Sequence, residues 1–271
     1  MRRRFIMLLL VFALSFGVAH ASPKRIVSLV PGLTENLFAL GVGDRVVGVT
    51  SWCDFPAEAQ TKTIVGDAMN LNVEILLSLE PDLVIGDYSL VQGHLDRLEE
   101  LGIPFAAISP TTIEEVWQSF ISLGELVGAK AKGEELARAM EARLTTLTEN
   151  IDRPTKPRVF IEVWNEPLMT AGPGSFMDEL IVLAGGENIA GDSPTPWPTF
   201  SEELVIERDP EVVILTNYNL LEALTRSAWQ QTSAFKKERV YEVNSDLYAR
   251  TTGRILDALE ELISILDAVG Q

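Results

Sequence analysis

The chain has 271 residues, a formal charge of -17, two histidines and one cysteine. Such acidity excludes binding to DNA, RNA or anionic lipid by bulk electrostatics, and the lone Cys53 excludes an internal disulfide. His20 lies in a segment that reads as an export signal, which leaves His94 alone. Zinc or manganese sites built from two or three imidazoles are therefore excluded, and no metal site is expected.

Arg2-Arg3-Arg4, the apolar stretch from Phe5 to Val18 and the small residues of Ala19-His20-Ala21 predict a cleaved secretory signal over 1–21. The apolar run is too short to span a bilayer comfortably. No cysteine follows the cleavage position, so lipid attachment is not expected and the predicted location is the periplasm. In chain order, strands are predicted at Arg25–Val30, Val46–Thr50, Leu83–Ile85 and Phe105–Ile108, with helices at Leu33–Leu40 and Val73–Leu79. From Thr112 to Ile151 turn signals occur only around Gly128 and Gly133. Leu136, Met140, Leu144, Leu147 and Ile151 recur at spacings of three and four, one face of a long helix. Arg153-Pro154-Thr155-Lys156-Pro157 stops it, and a strand resumes at Arg158–Ile161.

The second half repeats the first. Glu74 to Ile85 aligns without gaps on Glu203 to Ile214, at an offset of 129 (203 - 74). Leu40 to Gly48 resembles Leu183 to Gly191, and Arg25–Val30 resembles Arg158–Val163. Strands alternating with helices imply α/β layers. The fold class is α/β, with two similar Rossmann-like lobes of mainly parallel sheet, joined by one long backbone helix, with a ligand cleft between them. The expected partition is a signal at 1–21, an N-terminal lobe at 22–111, a linking helical region at 112–152 and a C-terminal lobe at 153–271. Ligands favour such interfaces and the loops after parallel strands. Trp52, Phe55, Tyr88, Trp164, Trp197 and Tyr248 fall in predicted loops after strands. There they can sandwich a flat ligand or plug local cores.

Several segments carry a resemblance: Ser28-Leu29-Val30-Pro31-Gly32-Leu33-Thr34-Glu35, Gly48 to Pro56 with its Asp54-Phe55-Pro56 loop, Met69-Asn70-Leu71 with Glu74, Gly185-Gly186-Glu187-Asn188, Pro196-Trp197-Pro198 and Ser245 to Arg250. Over the whole mature chain these resemble the periplasmic substrate-binding proteins of the helical-backbone class, which serve cobalamin, haem and ferric-siderophore ABC importers. Within the class the cobalamin receptors are most similar. The resemblance implies a non-enzymatic receptor without catalytic residues or cofactor, which captures cobalamin or a related corrinoid. Its partners would be the membrane permease subunits of an ABC importer, met as a monomer. Phe55 and Trp197 match aromatic ligand contacts. Trp164 and Tyr88 stand near such positions, and Leu33, Trp52, Leu247, Tyr248 and Ala249 lie in or beside matched segments. Asp246 and Arg250 match a segment that hydrogen-bonds amide side chains, and polar groups of both signs suit an amide. Glu74 and Glu203 match acids that dock on permease arginines, although a helix-start glutamate is also favoured by the helix dipole alone. The family's second-lobe disulfide is missing, with Leu183-Ala184 in its place. The tryptophan expected near Gly66-Asp67-Ala68 is missing too. Haem or a ferric siderophore is the alternative ligand, and haem would call on Tyr88, Tyr218 or Tyr248 as an axial group.

Overall fold

The computed structural model describes residues 22–67, 70–87 and 97–269. Tyr88 and His94 lie outside the described residues, as does Met69. The first sheet is wholly parallel, in the order β3-β2-β1-β4-β5, from β1 (Ile26–Ser28), β2 (Val46–Val49), β3 (Thr63–Ile64), β4 (Leu83–Gly86) and β5 (Phe105–Ala107). The second is centred on β6 (Arg158–Asn165). On one side lies β9 (Val212–Leu215) and beyond it β10 (Val240–Glu242); on the other lie β7 (Leu168–Thr170) and β8 (Glu187–Asn188). Only β7 runs antiparallel, as a hairpin with β6. This is the two-lobed α/β architecture with mainly parallel sheets.

Side chains alternate across each central strand. Ile26 of β1 and Val159 and Ile161 of β6 enter one large core that runs through both halves. Val27 and Leu29 face a second cluster on the outer side of the first sheet. Phe160 faces a third on the outer side of the second sheet. The shared core is closed by helices α1 (Pro31–Ala39), α3 (Ile113–Val127), α4 (Lys130–Thr148), α5 (Phe176–Leu183) and α8 (Ile255–Val269), while α2 (Val73–Ser78) and α6 (Glu202–Arg208) cover the outer faces.

The repeat extends into the caps. Asn72 caps α2 by accepting from the Ile75 amide, and Ser201 caps α6 by accepting from Leu204, again 129 apart (201 - 72). Both helices are followed by a left-handed residue, Glu80 at φ 45° and Asp209 at φ 44°. The Arg25 amide donates to Asp82 at 2.9 Å and the Arg158 amide to Glu211 at 3.1 Å, so the acid after the proline ties each half's central strand to its neighbour. The upstream match needs a shift of one residue. Gly41 and Gly185, both at φ 76°, end α1 and α5 with the same pair of bonds: Gly41 to Phe38 and Val42 to Leu37, Gly185 to Val182 and Gly186 to Ile181. Leu40 therefore corresponds to Ala184, not to Leu183.

The linking region, expected to hold one long backbone helix, contains two helices. α3 ends at Gly128, which adopts φ 72°, and α4 turns back to pack along α3. A Cβ on Gly133 would lie 2.3 Å from the Phe120 carbonyl oxygen, so glycine there permits the close crossing. The break falls at the Gly128 turn signal, and the apolar face that begins at Leu136 belongs to α4. Met140 is buried and Leu136, Leu144 and Leu147 pack on the shared core, but Ile151 lies beyond the helix end.

Candidate functional site: the cleft between the lobes

In parallel sheets the loops at the carboxyl ends of the strands form the binding edge. In this chain those edges meet. The loop after β2 carries Trp52, Asp54 and Phe55 from the first half. The turn after β10 leads into α7 (Ser245–Ala249) and on to Arg250 and Arg254 from the second. Asn244 caps α7 by accepting from the Asp246 amide.

Arg250, whose side chain is 9% exposed, is the centre of the polar floor. Its Nη1 pairs with Glu35 at 2.9 Å and Asp54 at 2.7 Å, and its Nη2 with Asp246 at 2.7 Å. The Nη2 also donates to the Trp52 carbonyl at 3.5 Å. Arg254 forks onto Glu35, Nε to Oε2 at 2.7 Å and Nη2 to Oε1 at 2.6 Å. Its guanidinium stands 4.0 Å from the Phe55 ring centre, a cation–π contact. Hydrogen bonding from Arg250 holds the Asp54 carboxyl below its ordinary range, against partial burial. Burial works to lower the Arg250 pKa, but its bonds to Asp54 and Glu35 and the charge of Asp246 outweigh it. The floor is thus three carboxylates around two guanidiniums, every one engaged in an ion pair.

Trp52 and Phe55 of the first half adjoin this floor through Arg250 and Arg254, and all of Trp52, Phe55, Trp164 and Trp197 are exposed. Trp164 donates its indole N–H to the Glu166 carbonyl at 2.9 Å, and Trp197 packs edge-on against Phe176 at 5.6 Å. Solvent-exposed indoles on a receptor surface present apolar area that a flat ligand can bury. Asp246 and Leu247 are half-buried and Ala249 is exposed beside Arg250. Two expected contacts are corrected. Leu33 (3% exposed) and Tyr248 (0%) belong to the shared core. Leu33 is one of five buried residues of α1 and Tyr248 the buried residue of α7, its hydroxyl donating to the Ala258 carbonyl at 3.2 Å. Burial, with Glu261 beside it, drives the Tyr248 pKa far above the ordinary phenol range, so it stays a neutral core residue.

Glu74 and Glu203 both sit in the first turn of their helices, α2 and α6, and both are exposed. Cys53 is a buried thiol between the hydroxyls of Thr34 (3.1 Å) and Thr50 (3.2 Å). Among the described residues no group of three or more His, Cys, Asp or Glu could hold a metal ion. A 260 Å³ cavity opens behind Phe55, between α1, α4 and the start of α8. It is smaller than the usual range for drug-sized ligands, and a macrocycle would need the open cleft. Sequence reading missed the roles of Glu35, Asp54 and Arg254. A glutamate between the core positions Leu33 and Leu37 was the only local signal, and it named no partner.

Two lobes facing each other across an aromatic and ionic cleft define a solute receptor. The sequence matches the model of the periplasmic binding protein family over residues 26–247, and the chain belongs to that family. It is 35% identical over 249 residues to the uncharacterized ABC transporter substrate-binding lipoprotein YvrC of Bacillus subtilis, covering 89% of this chain and 79% of the relative. The periplasmic vitamin B12 binding protein BtuF of Vibrio cholerae superposes with a TM-score of 0.82 at 29% identity, over 92% of this chain and 99% of that one. The periplasmic heme-binding protein RhuT of Roseiflexus, in apo form, superposes at 0.81, also at 29% identity and over the same shares. The chain is a substrate-binding protein of an ABC importer, of the helical-backbone class close to BtuF. Proteins of this family act outside the cytoplasm beside membrane permease subunits, and carry a transported ligand instead of a cofactor.

Proposed function

We propose that the cleft captures a corrinoid, cobalamin or a cobinamide-like relative, and delivers it to the importer. The observation that carries this reading is the Arg250 floor. Arg250 and Arg254 are already neutralised by Glu35, Asp54 and Asp246, so among the described residues the floor offers no free cation. An anionic ligand, such as haem with its carboxylates or a carboxylate-rich siderophore, wants unpaired arginine or lysine. Neutral amides can donate to the carboxylates and accept from the guanidiniums. Trp52, Phe55, Trp164 and Trp197 would cover the macrocycle, with Asp246, Leu247, Ala249 and Arg250 at its edge. Tyr88 belongs to the same proposal but lies outside the described residues.

Glu74 and Glu203 are proposed to dock on the permease. They are exposed at equivalent helix starts of duplicated halves, which suits a transporter with two-fold symmetry. The same reading takes residues 1–21 as a cleaved signal, the mature protein as a periplasmic monomer, and 22–111 and 153–271 as lobes joined by 112–152. Absorbance and thermal-shift titrations with cyanocobalamin, cobinamide and haem test the ligand. A response to either corrinoid is expected, and no change with both would sink the assignment. The haem reading has the similarity to RhuT in its favour. With Tyr248 buried, Tyr218 is the described axial candidate, exposed and with its hydroxyl accepting from the Ser245 amide at 3.2 Å. A haem spectrum abolished by Tyr218→Phe would favour that reading.

A further inference from the structure

The side chains that give the cleft its shape are held by a residue that has only a buried route to them. Glu35 is 5% exposed, lies on α1 and points away from solvent. Both of its oxygens are occupied: Oε1 accepts from Arg250 and Arg254, Oε2 from Arg254. Arg250 carries the polar floor, and Arg254 presses on the Phe55 ring. One carboxylate from the first half therefore sets two arginines from the second, and through them a polar and an aromatic wall of the cleft. The second half has a counterpart. With Gly41 matched to Gly185, the offset is 144 (185 - 41), and Glu35 corresponds to Glu179. Glu179 reaches out of its own half too, accepting from the Ile113 amide at 2.7 Å at the start of α3.

We propose that Glu35 is a positioning residue for ligand binding, a cross-lobe clasp that holds Arg250 and, through Arg254, Phe55 in their receptive arrangement. The inference rests on the cleft being the ligand site. The physical reason is that a buried carboxylate with three charge-assisted bonds fixes planar guanidiniums in direction as well as in distance. With the acid neutralised, Arg250 still has Asp54 and Asp246, but Arg254 loses its fork and Phe55 its stacking partner.

The test compares the wild type with Glu35→Gln and Arg254→Met, reading cyanocobalamin affinity by tryptophan quenching and amide hydrogen exchange over residues 52–56 and 245–254. Glu35→Gln is expected to bind about tenfold more weakly, with faster exchange in both segments and unchanged exchange in α4. Arg254→Met removes the aromatic arm while leaving Glu35 paired with Arg250, so it stands in should Glu35→Gln fail to fold. It should accelerate exchange over 52–56 and weaken binding by a smaller factor. A folded Glu35→Gln protein with wild-type affinity and wild-type exchange at 52–56 overturns the proposal, whatever its melting temperature. If the wild type binds no corrinoid, the ligand reading fails by itself. The exchange pattern then still decides the clasp: acceleration in both segments sustains it, and none overturns it.

Discussion

Leu29 and Glu162 occupy the same place in the two halves: four residues after Arg25 and Arg158, on the outer face of the central strand. Leu29 packs in an apolar cluster with Val27, Val65, Leu76 and Val84. Glu162 is fully buried, in register with Leu215 of β9 and Thr170 of β7. It pairs with Arg226, itself stacked 4.6 Å over Trp229, and it accepts from Asn217 at 3.1 Å and from Asn219. The carboxylate therefore ties down the loop after β9, which carries Tyr218 to the cleft rim. The same backbone plan serves both halves, and the second spends a core position on holding a loop. A buried ion pair is weak evidence for stability, yet breaking one is costly.

The largest expected effect comes from breaking that difference. Glu162→Leu alone should cost about 3 kcal/mol in urea unfolding, because Arg226 keeps only the exposed Glu222. Adding Arg226→Met should recover most of the loss. The reverse graft, Leu29→Glu, has no guanidinium to meet and should cost more than about 4 kcal/mol. A double variant no more stable than the single would show that Glu162 acts through the asparagines instead.

The left-handed residues Glu80 and Asp209 separate backbone from side chain. Glu80→Gly should stabilise by up to about 1 kcal/mol, since glycine adopts φ 45° without strain. Asp209→Gly should destabilise by about 1 kcal/mol, because its carboxylate accepts from the Ser233 amide at 2.6 Å and the Ser233 hydroxyl at 2.8 Å. Burial works to raise the Asp209 pKa, but those bonds and the nearby Arg158 outweigh it and lower it. Its contribution is therefore present above the ordinary carboxyl range and lost as pH falls through the lowered value. In Asp209→Gly the gap to wild type should close in acid.

A third contrast lies next to Glu35. Asn36 is buried with an unpartnered Nδ2, and the one-residue shift makes Leu180 its counterpart. Asn36→Leu should raise stability by about 1 kcal/mol without altering the overall structure, read by chemical denaturation.

Glu179 is the opposite case in sign to Asp209. Burial raises its pKa, the Ile113 amide resists, and Asp178, Glu115 and Glu114 add to the rise. A raised carboxyl binds its proton more tightly when folded, so wild-type stability should fall as pH climbs from the ordinary value through the raised one. Glu179→Gln should flatten that slope and raise Tm at pH 7 by about 1 °C, with no gain in acid. A steeper slope in the variant would refute the sign. Smallest of all in the isolated protein, Glu74→Gln and Glu203→Gln should leave stability and ligand affinity unchanged, while uptake by reconstituted importer falls. If the two halves dock equivalently, each single variant should lower it and the double variant more.

The amino-acid sequence by itself determined the α/β layers and the duplication. Each of these is written in a few adjacent residues: short apolar runs such as Val159-Phe160-Ile161, and the repeated segments containing Pro81 and Pro210. Trp52, Phe55 and Trp197 were legible as loop aromatics because strand ends are local too, whereas Trp164 lies within β6. Tertiary structure alone decided that α3 and α4 fold back on each other at Gly128, and that Tyr248 and Leu33 turn inward. It also decided that Glu35 meets Arg250, 215 residues away. Charge pairing across the lobes depends on how two sheets approach, and no short-range pattern records that distance. The corrinoid assignment rests on that cross-lobe geometry more than on any single motif.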